Sequence, residues 1–184
     1  MRNKLIPILL FLSSLYGQTQ TIYTGEQFSW TYGERKITTK KLNIPDNGTV
    51  TDINLKFSGS HNRNFNESYI GLVSPYGTHV TLTRHDNNSM NTNIVDRGIW
   101  DDEATKAMSE VSQPFNDSFR PDSLLSKFDG EEMNGDWELY IYHGAYFNGE
   151  AKFTEWELQI THDNSTPSDP PAERPGTLYR KGGQ

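Results

Sequence analysis

The chain has 184 residues, 33% of them apolar and 12% aromatic, with a formal charge of −7. The absence of cysteine excludes disulfide scaffolds, thiolate zinc sites, iron–sulfur clusters and cysteine nucleophiles. An acidic chain is repelled by a phosphate backbone, which argues against nucleic acid and leaves calcium, a basic partner surface or an uncharged ligand.

Arg2 and Lys4 precede an apolar run over 5–12, followed by Ser13, Ser14, Leu15, Tyr16 and Gly17. This is the layout of a secretory signal peptide over residues 1–17, with cleavage predicted near Gly17–Gln18. The run is too short to span a bilayer, which takes about 20 residues. The expected protein is therefore secreted or periplasmic, with no membrane span.

Residues 18–162 alternate with a period of two. Weak strands are predicted over 28–32 and 37–42, then a turn at Pro45-Asp46-Asn47-Gly48. Ile53, Leu55 and Phe57 alternate with Asn54 and Lys56. Ile70 and Leu72 flank Gly71, and Val80 and Leu82 flank Thr81, on either side of a Pro75-Tyr76-Gly77 turn. Trp137, Leu139 and Ile141 make another half-buried strand, as do Trp156, Leu158 and Ile160, with an Asn148-Gly149 turn between them. Such a chain is expected to be all-β, an antiparallel β-sandwich or jelly roll.

Residues 83–136 break the pattern. A polar stretch of that length needs a reason to stay ordered. The candidates are a bound ion, side-chain hydrogen bonds, or buried aromatic pegs such as Trp100, Phe115, Phe119 and Phe128. Asp101-Asp102-Glu103-Ala104 could start a helical turn with an Asp as N-cap. From 163 to 184 the chain turns rich in proline, serine and glycine and is predicted to be a disordered tail.

Asp101, Asp102 and Glu103 form the sharpest acidic cluster and are the candidate calcium ligands, with Asp96 and Asp86 as further oxygens. The competing reading is a helix cap plus solvated charge. Arg120 suits a structural fork holding Glu131 or Asp129. Ser74 lacks a nucleophile elbow and reads as part of a proline-set hairpin. His61, His79, His85, His143 and His162 have no zinc-ligand spacing. No catalytic residue is assigned. Trp100, Trp137 and Trp156 are expected core anchors. Tyr140 and Tyr142 fall on the face opposite Trp137 and, with Tyr146 and Phe147, form an aromatic patch. That patch could dock a protein or stack on sugar rings; cross-strand packing on a wet face is the plainer alternative. Asn47, Asn66, Asn87, Asn116 and Asn164 are glycosylation sequons if the source modifies exported proteins.

Six segments in order carry a family resemblance: Ile70-Gly71-Leu72-Val73-Ser74-Pro75-Tyr76-Gly77-Thr78; Trp100-Asp101-Asp102-Glu103-Ala104; Ser118-Phe119-Arg120-Pro121; Leu125, Phe128 and Gly130-Glu131; Asn134-Gly135-Asp136-Trp137-Glu138-Leu139; and Trp156-Glu157-Leu158. Together they resemble the P domain (homo B domain) of kexin/furin-type subtilisin-like proprotein convertases, in its bacterial style. Two places depart from the family pattern. Asn66-Glu67 stands where Gly-Asp is usual, and 87–92 replace a glycine-rich, Asp-containing turn. No subtilisin-type catalytic domain precedes the match.

The resemblance implies a galactose-binding-like jelly-roll sandwich over residues 18–162. It also implies an exported, non-catalytic module that binds or stabilises a subtilisin-like protease or a cell-surface protein, linked to serine-type endopeptidase proteolysis. On this reading the chain has no activity alone. The alternative expectation is a calcium-dependent carbohydrate-binding jelly roll; an autonomous hydrolase is a third.

Overall fold

The computed structural model describes residues 18–32, 37–62, 65–84, 92–110, 114–143 and 149–163. The predicted leader, most of the predicted tail, Tyr146, Phe147, His85, Asp86 and the sequons at Asn87 and Asn164 lie outside them. Within these residues the elements are β1 (Thr19–Gly25), β2 (Phe28–Tyr32), β3 (Ile37–Ile44), β4 (Thr49–His61), β5 (Ser68–Val73), β6 (His79–Thr83), β7 (Ile94–Trp100), β8 (Lys106–Ala107), β9 (Ser118–Arg120), β10 (Gly135–His143) and β11 (Gly149–Asp163). Single 3-10 turns lie at Phe65–Glu67, Met108–Glu110 and Leu125–Phe128. Among the described residues there is no α-helix.

Two sheets form. The larger runs β1-β11-β4-β7-β9-β8, with β2 also on β11; the smaller runs β3-β10-β5-β6. Because successive side chains point to opposite sides of a sheet, the alternating apolar sets all face inward. Ile53, Leu55 and Phe57 of β4 meet Trp156, Leu158 and Ile160 of β11 on one side. Ile70 and Leu72 of β5 and Leu139 and Ile141 of β10 close the other. The all-β sandwich read from periodicity is the observed fold. The smaller sheet is antiparallel throughout, but the larger is mixed: β9 lies parallel to both β7 and β8.

Trp100, Trp137 and Trp156 are fully buried, as expected. Phe57 sits at the centre of an aromatic cluster. It stacks on Trp100 at 4.3 Å and 11° and meets Phe153 at 4.8 Å and Phe115 at 5.9 Å. Phe128 packs edge-on against Trp137 at 5.1 Å.

The irregular stretch is therefore ordered by aromatic pegs. Phe115, Phe119, Leu125, Phe128 and Met133 are buried. The stretch also contains β7, which alternation had not revealed. A register shift between Phe57 and Gly59 of β4 breaks the pairing with β7. Arg97 takes a left-handed φ of 56° at that irregularity, an uncommon conformation for a residue with a Cβ. Gly98 beside it has no side chain, and none would fit: a Cβ there would lie 2.6 Å from the Phe115 ring.

Candidate functional site

The outer face of the smaller sheet is built on β10. Trp137, Leu139 and Ile141 point into the core, so Glu138, Tyr140 and Tyr142 point out. Across the ladder Tyr142 stands opposite Tyr69 of β5 and Ile37 of β3, and Tyr140 opposite Gly71 and Thr39. Glu138 stands opposite Val73 and Lys41, and Val73 in turn opposite His79 of β6. Cross-strand partners share a face. Tyr69, Tyr140, Tyr142, Ile37, Val73 and His79 thus form one aromatic and aliphatic surface, with Ile37 55% exposed.

The His79 ring meets Tyr140 edge to face at 5.7 Å and 81°. Gly71 makes room for this pair, since a Cβ there would lie 2.9 Å from His79 Nε2. One end of the surface is charged. Lys41 Nζ lies 3.0 Å from Glu138 and 3.5 Å from Asp136, and Asn43 donates to Asp136 at 2.9 Å. The Asn43 hydrogen bond and then Lys41 hold Asp136 below the usual carboxylate range, while hydrogen bonding and charge from Glu138 raise Lys41. The sequence singled out Tyr140 and Tyr142 but missed Tyr69, Ile37, Val73 and His79. Tyr69 was within reach, because it lies out of phase with Ile70 and Leu72.

The acidic residues lie in the turn after Trp100, beyond the end of β7. Asp101 follows β7, and its carboxylate accepts the Glu103 amide at 2.8 Å in a tight turn. The expected helix start is absent. Asp102 instead caps a distant 3-10 turn, accepting the amides of Leu125 at 2.9 Å and Ser126 at 2.8 Å, one on each oxygen. Asp52 of β4 and Asp129 join the neighbourhood. Desolvation and then the Asp101 charge raise Asp52. A hydrogen bond with Asp101, then desolvation, then the Asp52 charge raise Glu103. Desolvation and the charges of Asp52 and Asp102 raise Asp129.

Calcium needs six to eight oxygens around one point. Among the described residues no group of three or more His, Asp or Glu is placed to hold a metal, and Asp102 has both oxygens engaged. Asp96 is exposed and pairs with Arg97 at 3.3 Å.

Arg120 corrects another expectation: it is exposed at the end of β9, and no ion pair to Glu131 or Asp129 forms. Glu131 instead accepts the hydroxyl hydrogen of Thr78. Ser74 closes its own hairpin. Its amide donates to Thr78 O at 2.9 Å, and its oxygen accepts the Thr78 amide at 3.3 Å. His61 and His162 are buried at 2% and 5% exposure, and His162 Nε2 lies 3.2 Å from Thr21 Oγ1.

The family model for the proprotein convertase P-domain matches residues 50–160. The chain belongs to the proprotein convertase P-domain family. The match begins on β4 and ends on β11, so β1 to β3 of this P domain lie outside it. Two solved structures illustrate what it is similar to. One is the serine protease of Aeromonas sobria, 16% identical over 77% of this chain and 27% of that one, with a TM-score of 0.45. The other is the same serine protease in complex with its chaperone, 16% identical over 79% and 28%, with a TM-score of 0.47. This P domain spans just over a quarter of those chains. No curated protein matches it.

Proposed function

We propose that this chain is an exported, non-catalytic P domain that docks on a serine-type endopeptidase and stabilises it. The contact is made through the aromatic outer face of the smaller sheet. Family membership supports the association with proteolysis. The observation that carries the choice of surface is the alignment of Tyr142 with Tyr69 and Ile37 across three strands. Apolar area that an isolated domain leaves in water is favourable to bury against a partner, and tyrosines keep a polar tip for the rim. The Lys41–Glu138–Asp136 network at one end would fix orientation more than affinity.

The test is a thermal-inactivation assay of a subtilisin-fold protease from the same genome, with and without this chain. The wild-type chain is expected to lengthen the protease half-life, and Tyr140→Ala/Tyr142→Ala to lose the effect while remaining folded. Equal protection by both proteins would move the contact elsewhere. No protection by either, with glycan binding that depends on the same tyrosines, would replace this function with the carbohydrate reading.

A further inference from the structure

We propose that Asn47 is a self-modifying site: the Gly48 backbone nitrogen displaces its side-chain amide, and the turn between β3 and β4 converts with time to a mixture of aspartate and isoaspartate. This chemistry is independent of any docking partner.

An asparagine followed by glycine is open to this reaction because the succeeding amide has no side chain to shield it. The Gly48 nitrogen gives its proton to hydroxide and bonds to Asn47 Cγ. The Cγ–Nδ2 bond breaks, and the side-chain nitrogen leaves as ammonia, taking a proton from water. Water then opens the cyclic imide. Attack at Cγ leaves aspartate. Attack at the main-chain carbonyl carbon leaves isoaspartate, in which the chain runs to Gly48 through the side chain and gains one methylene. Either product carries one more negative charge than the asparagine.

Two Asn-Gly pairs lie within the described residues, and the fold treats them differently. Asn134 Nδ2 donates to Pro45 O at 3.0 Å, and Gly135 is the first residue of β10, in register with Ile44 of β3. There the side chain is held and the glycine belongs to a ladder. Asn47 is exposed, and residues 45–48 form no regular element. Among the described residues no hydrogen bond engages the Asn47 side chain or the Gly48 amide. Nothing has to be broken before these two groups react, whereas Asn134 must first release Pro45.

The turn is pinned on either side of the reacting bond. The Tyr23 hydroxyl donates to Asp46 at 2.8 Å, and the Met133 amide donates to Gly48 O at 2.9 Å. Gly48 has no room to move inward: a Cβ there would lie 2.6 Å from His162 Nδ1. Lengthening the link between these anchors works against one hydrogen bond or the other. The isoaspartate form is therefore the strained product, and the aspartate form, with its normal backbone, is not.

The full chain, made in bacteria so that Asn47 carries no glycan, is incubated warm at neutral and at mildly alkaline pH. Peptide mapping by mass spectrometry follows each asparagine separately, and isoaspartyl methyltransferase labelling counts the isoaspartate. Asn47 is expected to convert several-fold faster than Asn134 in the folded chain, and faster in alkali, because the reaction begins with loss of a proton. In urea the two pairs should convert at similar rates, since the fold that separates them is gone. Asn47→Gln, whose longer side chain must close a larger ring, should leave the turn unchanged; Gly48 is not substituted, because any side chain would meet His162. Equal rates at Asn47 and Asn134 in the folded chain overturn the proposal. So does an Asn47 that converts in urea and not in the folded chain, which would mean that the turn holds the two groups apart. An aged sample rich in isoaspartate should melt about 2–4 °C below a fresh one, and Asn47→Asp should melt with the fresh one. Equal melting of aged and fresh chain overturns the strain assigned to the lengthened turn.

Discussion

The two outer faces of the sandwich start from the same alternation and end up chemically opposite. On the larger sheet the polar residues answer one another. Lys56 donates to Glu157 at 2.9 Å, and Gln159 adds a second hydrogen bond to the same oxygen at 3.0 Å. Burial alone would raise Glu157, but these two donors hold it below the ordinary glutamate value. On the smaller sheet the corresponding positions are Tyr69, Tyr140 and Tyr142, half-buried aromatic rings rather than charged pairs. The inner faces are interchangeable in kind and the outer ones are not. Folding is thus shared between the sheets, while the proposed recognition uses only one of them.

The largest expected effect tests whether the inner faces are equivalent. Trp137→Ala and Trp156→Ala, one on each sheet, should each destabilise by about 3–5 kcal/mol in urea unfolding. A loss confined to one would mean that the sheets do not fold as a unit. Asp102→Ala comes next. It strips two amides of a charged acceptor and should cost about 1–3 kcal/mol, with no recovery on adding calcium. Recovery by calcium would show that the acidic cluster binds the ion after all.

The pH dependence divides the larger sheet itself. Asp52, Glu103 and Asp129 have folded-state values raised above the unfolded ones, so the folded chain holds extra protons in that window and loses stability as pH rises through it. Asp52→Asn should therefore raise Tm by about 2–4 °C at pH 7 and lose that gain toward acid. Glu157 runs the other way. Its contribution is present above the ordinary glutamate value and disappears as pH falls through the lowered folded one. Glu157→Gln should cost stability at pH 7 and nothing in acid, read by calorimetry at several pH values. The smallest effect closes the comparison: Tyr142→Ala should change stability by less than about 1 kcal/mol, while protection of the protease falls.

Where one face of a strand is wet, the sequence announces it. The inward sets of β4, β5, β6, β10 and β11 were readable because their apolar residues fall two apart. β1 was not, because Thr, Gln, Ile and Tyr on an edge bury little on either side. β7 was hidden by its irregularity: Asp96 and Arg97 interrupt the count just where the backbone turns left-handed. Asp102 illustrates a different limit. Its neighbours in the chain suggest a helix cap, and it is one, but for residues 23 positions away, a distance that local spacing does not encode. The proposed docking face was half legible for the same reason. Tyr140 and Tyr142 share a strand, whereas Tyr69 and Ile37 reach them through ladder registers.

β11 pairs with β4 along one side and with β1 and β2 along the other. A nascent chain that has not yet emerged to Asp163 therefore has no middle to its larger sheet. Phe57 and Leu55 lack their ladder partners Trp156 and Leu158 until β11 is synthesised. The larger sheet is consequently completed only when the last strand of the domain is in place, and closure of the sandwich is a late event in its synthesis.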